Sequence, residues 1–207
     1  MAYDVDRRPG AWVRAQAKRR ERQLWLGLAV GLVVAGGFVA LALGHAVGIV
    51  GAAAFLAVFL AIRPFANDFV DSLANWWRGA HAEASVGETL NELRREGWIV
   101  MHDVEQEFEG NIDHIASGPN GVFLIETKDR RYEDDQLTKV KRQAAKLNKE
   151  LGVWVAPVIC LHRRRGAHFQ TKGVAIVPQQ HLLDWLREQR GKPVQFERLA
   201  RYADRVD

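Results

Sequence analysis

From Leu24 to Ile62 the chain contains no Asp, Glu, Lys or Arg: LWLGLAVGLVVAGGFVALALGHAVGIVGAAAFLAVFLAI. A helix needs about 20 apolar residues to cross ~30 Å of hydrocarbon, and this uncharged run of 39 is nearly twice that. Gly44-His45 interrupts it near the middle, which predicts two transmembrane helices, Leu24–Leu43 and Ala46–Ile62, joined by a tight turn. Gly36, Gly37, Gly48 and Gly51 would let the two backbones approach closely. The other solution for such a run is a helical hairpin buried in a soluble core. A cleaved signal peptide has a much shorter apolar region.

The flanks give the hairpin a direction. RAQAKRRER precedes the first span, Arg63 follows the second, and the turn has no Lys or Arg. Positive flanks stay in the cytoplasm, so the expectation is a protein of the cell membrane with both termini inside. The net charge of +4 lies in the tail: outside residues 1–22 there are 22 basic and 22 acidic residues. Residues 1–23 are thus a basic cytoplasmic tail suited to anionic headgroups. The high pI is no argument that the rest of the chain binds nucleic acid. A single cysteine, Cys160 in WVAPVICLH, excludes an internal disulfide and reads as a buried strand residue.

Residues 63–84 read as an amphipathic juxtamembrane linker. Phe65, Phe69, Leu73, Trp76 and Trp77 repeat at helical spacing, either at the headgroup level or against the soluble domain. Residues 85–190 then alternate helix and strand patterns. SVGETLNELRREG predicts a helix with Ser85 as N-cap and Gly97 as stop, and WIVMHDVEQ a first strand. NIDHIASGPNGVFLIETK predicts a hairpin turning at SGPNG, and DDQLTKVKRQAAKLNKELG a second helix. VWVAPVICLH and KGVAIVP are two further strands, and QQHLLDWLREQ a final helix before a polar tail, 191–207. This order implies an α/β fold, a mixed sheet flanked by helices.

Within the hairpin, Asp113, Glu126 and Lys128 occupy strand positions where Val or Ile would be ordinary. If the loop is Gly118–Gly121, position 113 lies opposite position 126, with Cβ atoms ~5 Å apart, and Lys128 shares the face of Glu126. A five-residue loop would separate the acids unless a bulge restored the register. Two carboxylates this close call for a cation between them. That cation is either a divalent ion, Mg²⁺ or Mn²⁺ by the hardness of oxygen ligands, or Lys128 in a purely structural ion pair. His114 should point to the opposite face and reads as structural.

Asp113 followed on the next strand by Glu126-Thr127-Lys128 resembles the Asp…(Asp/Glu)-x-Lys core of the restriction-endonuclease-like superfamily. The longer series GETLNEL, GWIVMHDV, GNIDHIASGPNGVFLIETK and RQAAKLNKELG resembles the nuclease-related domain known as NERD. The resemblance implies a restriction-endonuclease-like fold and a metal-dependent nuclease acting on DNA or RNA. Asp113 and Glu126 would be metal ligands, with the Thr127 carbonyl as a third, and Lys128 the catalytic lysine. Glu88 matches the acid of the family's first helix, although Ser85…Glu88 is also a capping box. Gln143 matches a glutamine of the second helix near the active site. Lys139, Arg142, Lys146 and Lys149 form a basic stripe on that helix, available to phosphates or simply solvated. The basic loop LHRRRGAHFQTKG suits phosphate or an anionic membrane equally. The alternative to an enzyme is a catalytically silent nuclease-fold module that binds nucleic acid or a partner at the membrane.

Overall fold

The computed structural model describes residues 74–104, 110–194 and 196–206, with isolated helical positions between Arg22 and Gly36. Apart from those positions, the two spans expected over residues 24–62 lie outside the described residues. Among the described residues no helix is long and apolar enough to cross a membrane. Arg78–Asp207 belong to one compact unit and Val13–Trp77 to another.

Six strands form one mixed sheet. They are β1 (Ile99–Val104), β2 (Ile112–Gly118), β3 (Gly121–Lys128), β4 (Val155–Leu161), β5 (Phe169–Thr171) and β6 (Val174–Pro178), in the order β1-β2-β3-β4-β6-β5. Antiparallel pairing runs from β1 to β3, β4 lies parallel to β3, and β6 parallel to β4. Helix α1 covers residues 74–91 and continues as a 3₁₀ turn, Glu92–Glu96, which Gly97 closes at φ 83°. Helix α2 (Asp134–Leu151) makes the crossover from β3 to β4. Helix α3 (Leu182–Glu188) follows β6, and α4 (Phe196–Val206) ends the fold.

The helices cover both faces. Leu137, Val140, Ala144, Leu147 and Leu151 of α2 recur every third or fourth residue and pack on Met101, Ile115, Val122, Leu124 and Ile159. On the other face Val86 and Leu90 of α1, with Leu182 and Leu186 of α3, pack on Val100, Ala116, Phe123, Ile125 and Val158. Cys160 is buried in this second core. Helix α2 starts with Gln136 Oε1 accepting the Glu133 N–H at 3.1 Å. It ends at Gly152, left-handed at φ 68°, whose N–H reaches the Asn148 carbonyl at 2.8 Å.

The β2–β3 hairpin is tight, with Gly118 paired to Gly121 across Pro119-Asn120. A Cβ on Gly118 would lie 2.2 Å from the Trp98 ring, so the indole can cover this end of the hairpin only because residue 118 is glycine. On the tip, Asn120 Nδ2 donates to the carbonyls of Arg187 and Gln189, the latter at 2.9 Å.

Three expectations need correction. Ser85 does not start a helix, because the Ala-rich stretch before it, free of proline, is already helical from residue 74. The Ser85–Glu88 capping box therefore does not form, and the Ser85 hydroxyl instead accepts from Gln179 Nε2 at 3.0 Å. The linker drawn at 63–84 accordingly gives its last residues, with Ala80, Ala82 and Glu83 buried, to the folded domain. The segment read as polar tail contains α4, whose Leu199 and Tyr202 enter the α2-side core. Its few apolar residues share one helical face, which mean polarity conceals. Finally, Phe169–Thr171 of the basic loop is a strand, joined to β6 through Lys172 and Gly173, both with positive φ as a type I′ turn requires.

Candidate active site

The β2–β3 ladder runs from Gly118↔Gly121 to His114↔Ile125. The next step along the register sets Asp113 across from Glu126, and there the backbone pairing gives way to a side chain: Asp113 Oδ2 accepts the Thr127 N–H at 2.7 Å. The β1–β2 register, His102↔His114 and Val104↔Ile112, likewise sets Asp103 across from Asp113. Asp103 has φ 52°, left-handed and uncommon for a residue with a Cβ. Beyond it Val104 joins the α2-side core, although alternation from Val100 would send it to the other face. Three strands thus each present an acid at one end of the sheet, where the regular ladder breaks.

A fourth acid comes from α1. Glu83 is 5% exposed, and its carboxyl is pushed up to about 10 by burial, by Asp113, and by a hydrogen bond with Asp103. Asp113 is pushed up to about 7 by burial and by Glu126, against the opposing pull of Lys128 and the Thr127 N–H. Glu126 is 3% exposed. Lys128 Nζ donates to Glu126 Oε1 at 2.8 Å, and Lys139 Nζ lies 3.4 Å from the same oxygen. Burial alone would lower the Lys128 pKa, but Glu126 and Asp113 outweigh it and hold the ammonium above its usual range. Four carboxylates therefore face two lysines, and burial, reinforced by the neighbouring acids, keeps Glu83 protonated at neutral pH.

The residues singled out from the sequence fall into three groups. Asp113, Glu126, Thr127 and Lys128 come together as described, with Lys139 turned onto Glu126. Gln143 is buried in α2 beside the strand end, its Nε2 donating to the Asn111 carbonyl at 3.2 Å and the Gly110 carbonyl at 3.4 Å. Glu88 is exposed on α1, whereas Glu83, five residues earlier, is buried and its carboxyl is acted on by Asp113 and Asp103. Arg142 is exposed and Lys146 half-buried on α2. Sequence reasoning missed Glu83 and Asp103. Glu83, Val86, Leu90 and Leu93 fall at i, i+3, i+7 and i+10, so the signal for Glu83 was an acid on the apolar stripe of its own helix. Asp103 was legible only as the single acid of its strand.

Behind the acids, on the α1 side, lies a buried polar chain. His102 Nδ1 and His114 Nδ1 are 2.8 Å apart, His102 Nε2 is 3.1 Å from Asn91 Oδ1, and His114 Nε2 is 3.2 Å from Thr127 Oγ1. One neutral assignment satisfies every contact: Thr127 donates to His114, His114 to His102, and His102 to Asn91. Burial favours that neutrality, lowering His102 to about 4 and His114 well below its ordinary value.

The segment with this geometry, residues 78–162, matches the family model described as NERD, Nuclease-related domain. Residues 78–162 form a nuclease-related domain. The six-stranded mixed sheet with helices on both faces agrees with the fold expected from that resemblance. No curated protein and no solved structure matches the chain. The nuclease-related domain takes in α1 from residue 78, β1 to β4 and α2, and with them all four acids and both lysines of the site.

The donor set of this domain suits a hard divalent cation, since the acids offer only carboxylate oxygens in a place with more negative than positive side chains. Among the described residues no three His, Cys, Asp or Glu side chains are already gathered as a metal-binding group. Glu126 is engaged by the two lysines instead.

Proposed function

We propose that the nuclease-related domain is a metal-dependent nuclease that hydrolyses phosphodiester bonds of DNA or RNA. The observation that carries this reading is that Asp103, Asp113 and Glu126 stand on neighbouring strands at one end of the sheet, with buried Glu83 hydrogen-bonded to Asp103 and Lys128 bonded to Glu126. Asp113, Glu126 and the Thr127 carbonyl would hold Mg²⁺ or Mn²⁺, and Glu83 takes the place of Glu88 as the acid contributed by the first helix. Such an ion neutralises phosphate charge and acidifies water. The chain's own residues bind and orient. Lys128, held charged, donates to a phosphate oxygen or to the attacking water, and the N–H of Thr127 fixes the Asp113 carboxylate. In the reaction the water oxygen forms a bond to phosphorus and one ester P–O bond breaks. The neutral histidine chain keeps the β3 backbone between Glu126 and Lys128 in place.

A second reading, a silent module that binds nucleic acid or a partner, is favoured by one observation: Lys128 and Lys139 both engage Glu126. Cleavage of single- and double-stranded DNA and RNA by the purified full chain separates the two. The assay compares Mg²⁺, Mn²⁺ and chelator for the wild type, Asp113→Ala and Lys128→Ala. Metal-dependent cutting that falls at least ~100-fold in both variants is expected, in line with the loss of an electrostatic catalytic group. Cutting that persists in them refutes the site. Metal binding that needs Asp113 but brings no cutting supports the silent module.

We also propose that residues 24–62 anchor the chain in the cell membrane, with lipid as partner and the nuclease-related domain in the cytoplasm. The support is the uncharged run and its basic flanks.

A further inference from the structure

The polypeptide just beyond the site carries a charge pattern that the reaction does not use. β3 ends at Lys128 and β4 at Leu161, which are register partners, and the two strands leave the sheet side by side. The backbone pairing continues past both ends: the His162 N–H reaches the Lys128 carbonyl at 2.8 Å and the Arg163 N–H the Asp129 carbonyl at 2.7 Å. Two loops that are remote in sequence are thereby laid together. One begins Asp129-Arg130-Arg131 and the other His162-Arg163-Arg164-Arg165. All five arginines are exposed. Asp129 is the one acid among these residues and pairs with Arg163 Nε at 3.2 Å. Arg164 lies over the Phe169 ring, 5.0 Å from its centroid, which holds its guanidinium at the surface. Arg130, Arg131 and Arg165 make no ion pair among the described residues.

We infer that these paired loops, Arg130-Arg131 and Arg163-Arg164-Arg165, bind the phosphate backbone of a nucleic acid and lay it across the strand end that carries Lys128. The inference rests on the nuclease reading for its choice of polymer. Outside residues 1–22 the chain has equal numbers of acidic and basic residues, so five arginines in two adjoining loops are a local concentration that average charge hides. All five basic residues are Arg, whose planar fork of donors matches phosphate oxygens two at a time. The surface begins two residues beyond Lys128, so a polymer held there passes the acids. An anionic membrane is the other polyanion of this kind, but the two arginine runs carry no Trp, Leu or Ile to enter the headgroup layer. Contacts to phosphate carry no sequence information, so this surface confers affinity without base preference.

The test uses the full chain in chelator, so that nothing is cut. Binding of a fluorescent 25-base-pair DNA and of the same sequence as single-stranded RNA is followed across salt concentrations. The wild type is compared with a variant carrying Arg130→Gln, Arg131→Gln, Arg164→Gln and Arg165→Gln, which spares the Arg163–Asp129 pair. At least tenfold weaker binding is expected, together with a slope of log affinity against log salt that is shallower by about 3.6 on the duplex and about 2.8 on the single strand, since each phosphate neutralised contributes ~0.9 and ~0.7 respectively. Unchanged affinity and slope would overturn the surface, as would a wild type that binds neither polymer. So would four substitutions that abolish binding to phosphatidylglycerol vesicles while leaving binding to both polymers intact. Metal-dependent hydrolysis of bis(p-nitrophenyl) phosphate, too small to span the loops, is measured alongside. If that activity is absent in the wild type while the salt slope changes as expected, the nuclease reading fails and the surface stands. If the activity is present and the slope unmoved, the reverse holds. Matching thermal transitions show that the variant is folded.

Discussion

Single residues carry most of the functional argument, and they were legible to different degrees. Asp113, Glu126 and Lys128 stood out because charge inside a strand opposes the burial that strands need. The hairpin loop then decided whether they met, and Gly118↔Gly121 pairing brings 113 and 126 face to face. Glu83 is masked because Ser85 carries an N-cap signal inside a helix that already runs at residue 74, and Asp103 because a positive φ has no marker in an Asp-Val pair. A direct prediction separates the two acids of α1. Glu83→Gln keeps the neutral, hydrogen-bonding shape that the buried carboxyl already has at neutral pH, so the fold should tolerate it. Cleavage and Mn²⁺ affinity should nevertheless fall about tenfold or more, the scale for groups that support a metal site. Glu88→Gln, at an exposed position, should change both less than about twofold on the same scale. Calorimetric Mn²⁺ titration and turnover of each variant decide it, and the opposite ranking would restore Glu88.

At the scale of elements, apolar periodicity located β1 to β4, β6, α2 and α3, because each buries one stripe or both faces. It failed where polar composition masked a stripe, as in α4, and where three residues are too few to show a period, as in β5. Nor does any pattern reveal the chain of Asn91, His102, His114 and Thr127, which ties α1 to the first three strands through side-chain nitrogen and oxygen atoms. That chain makes the fold sensitive to acid. His102 goes from an ordinary value of 6.5 to about 4 on folding, so the unfolded chain takes up the proton first. Its contribution is therefore complete above pH 6.5 and is lost as the pH falls toward 4, about 2 kcal/mol of it by pH 5. Glu83 and Asp113, whose carboxyls are pushed up on folding, pull the other way as the pH falls, so the quantity to read is the urea midpoint of the wild type minus that of His102→Gln. That difference should be level between pH 8 and 7 and decline between 6.5 and 5. A difference that stays level to pH 5 would contradict the neutral assignment.

For the molecule as a whole, charge-free length is the most legible trait of the sequence, and the membrane anchor proposed from it has a direct test. On alkaline carbonate extraction the full chain should remain with the membrane fraction, and a chain lacking residues 24–62 should not. Recovery of the full chain in the wash would refute the anchor and leave the nuclease-related domain untouched. Within that domain the β2–β3 hairpin is bound unevenly. Its tip is covered by Trp98 and tethered by Asn120 to the end of α3, whereas the other end has exchanged ladder bonds for a carboxylate contact. The pair resembles a book stitched along the spine and loose at the fore-edge. The acids thus stand where side chains rather than ladder bonds make the contacts between β2 and β3, so those contacts can be exchanged while the stitched end keeps the register.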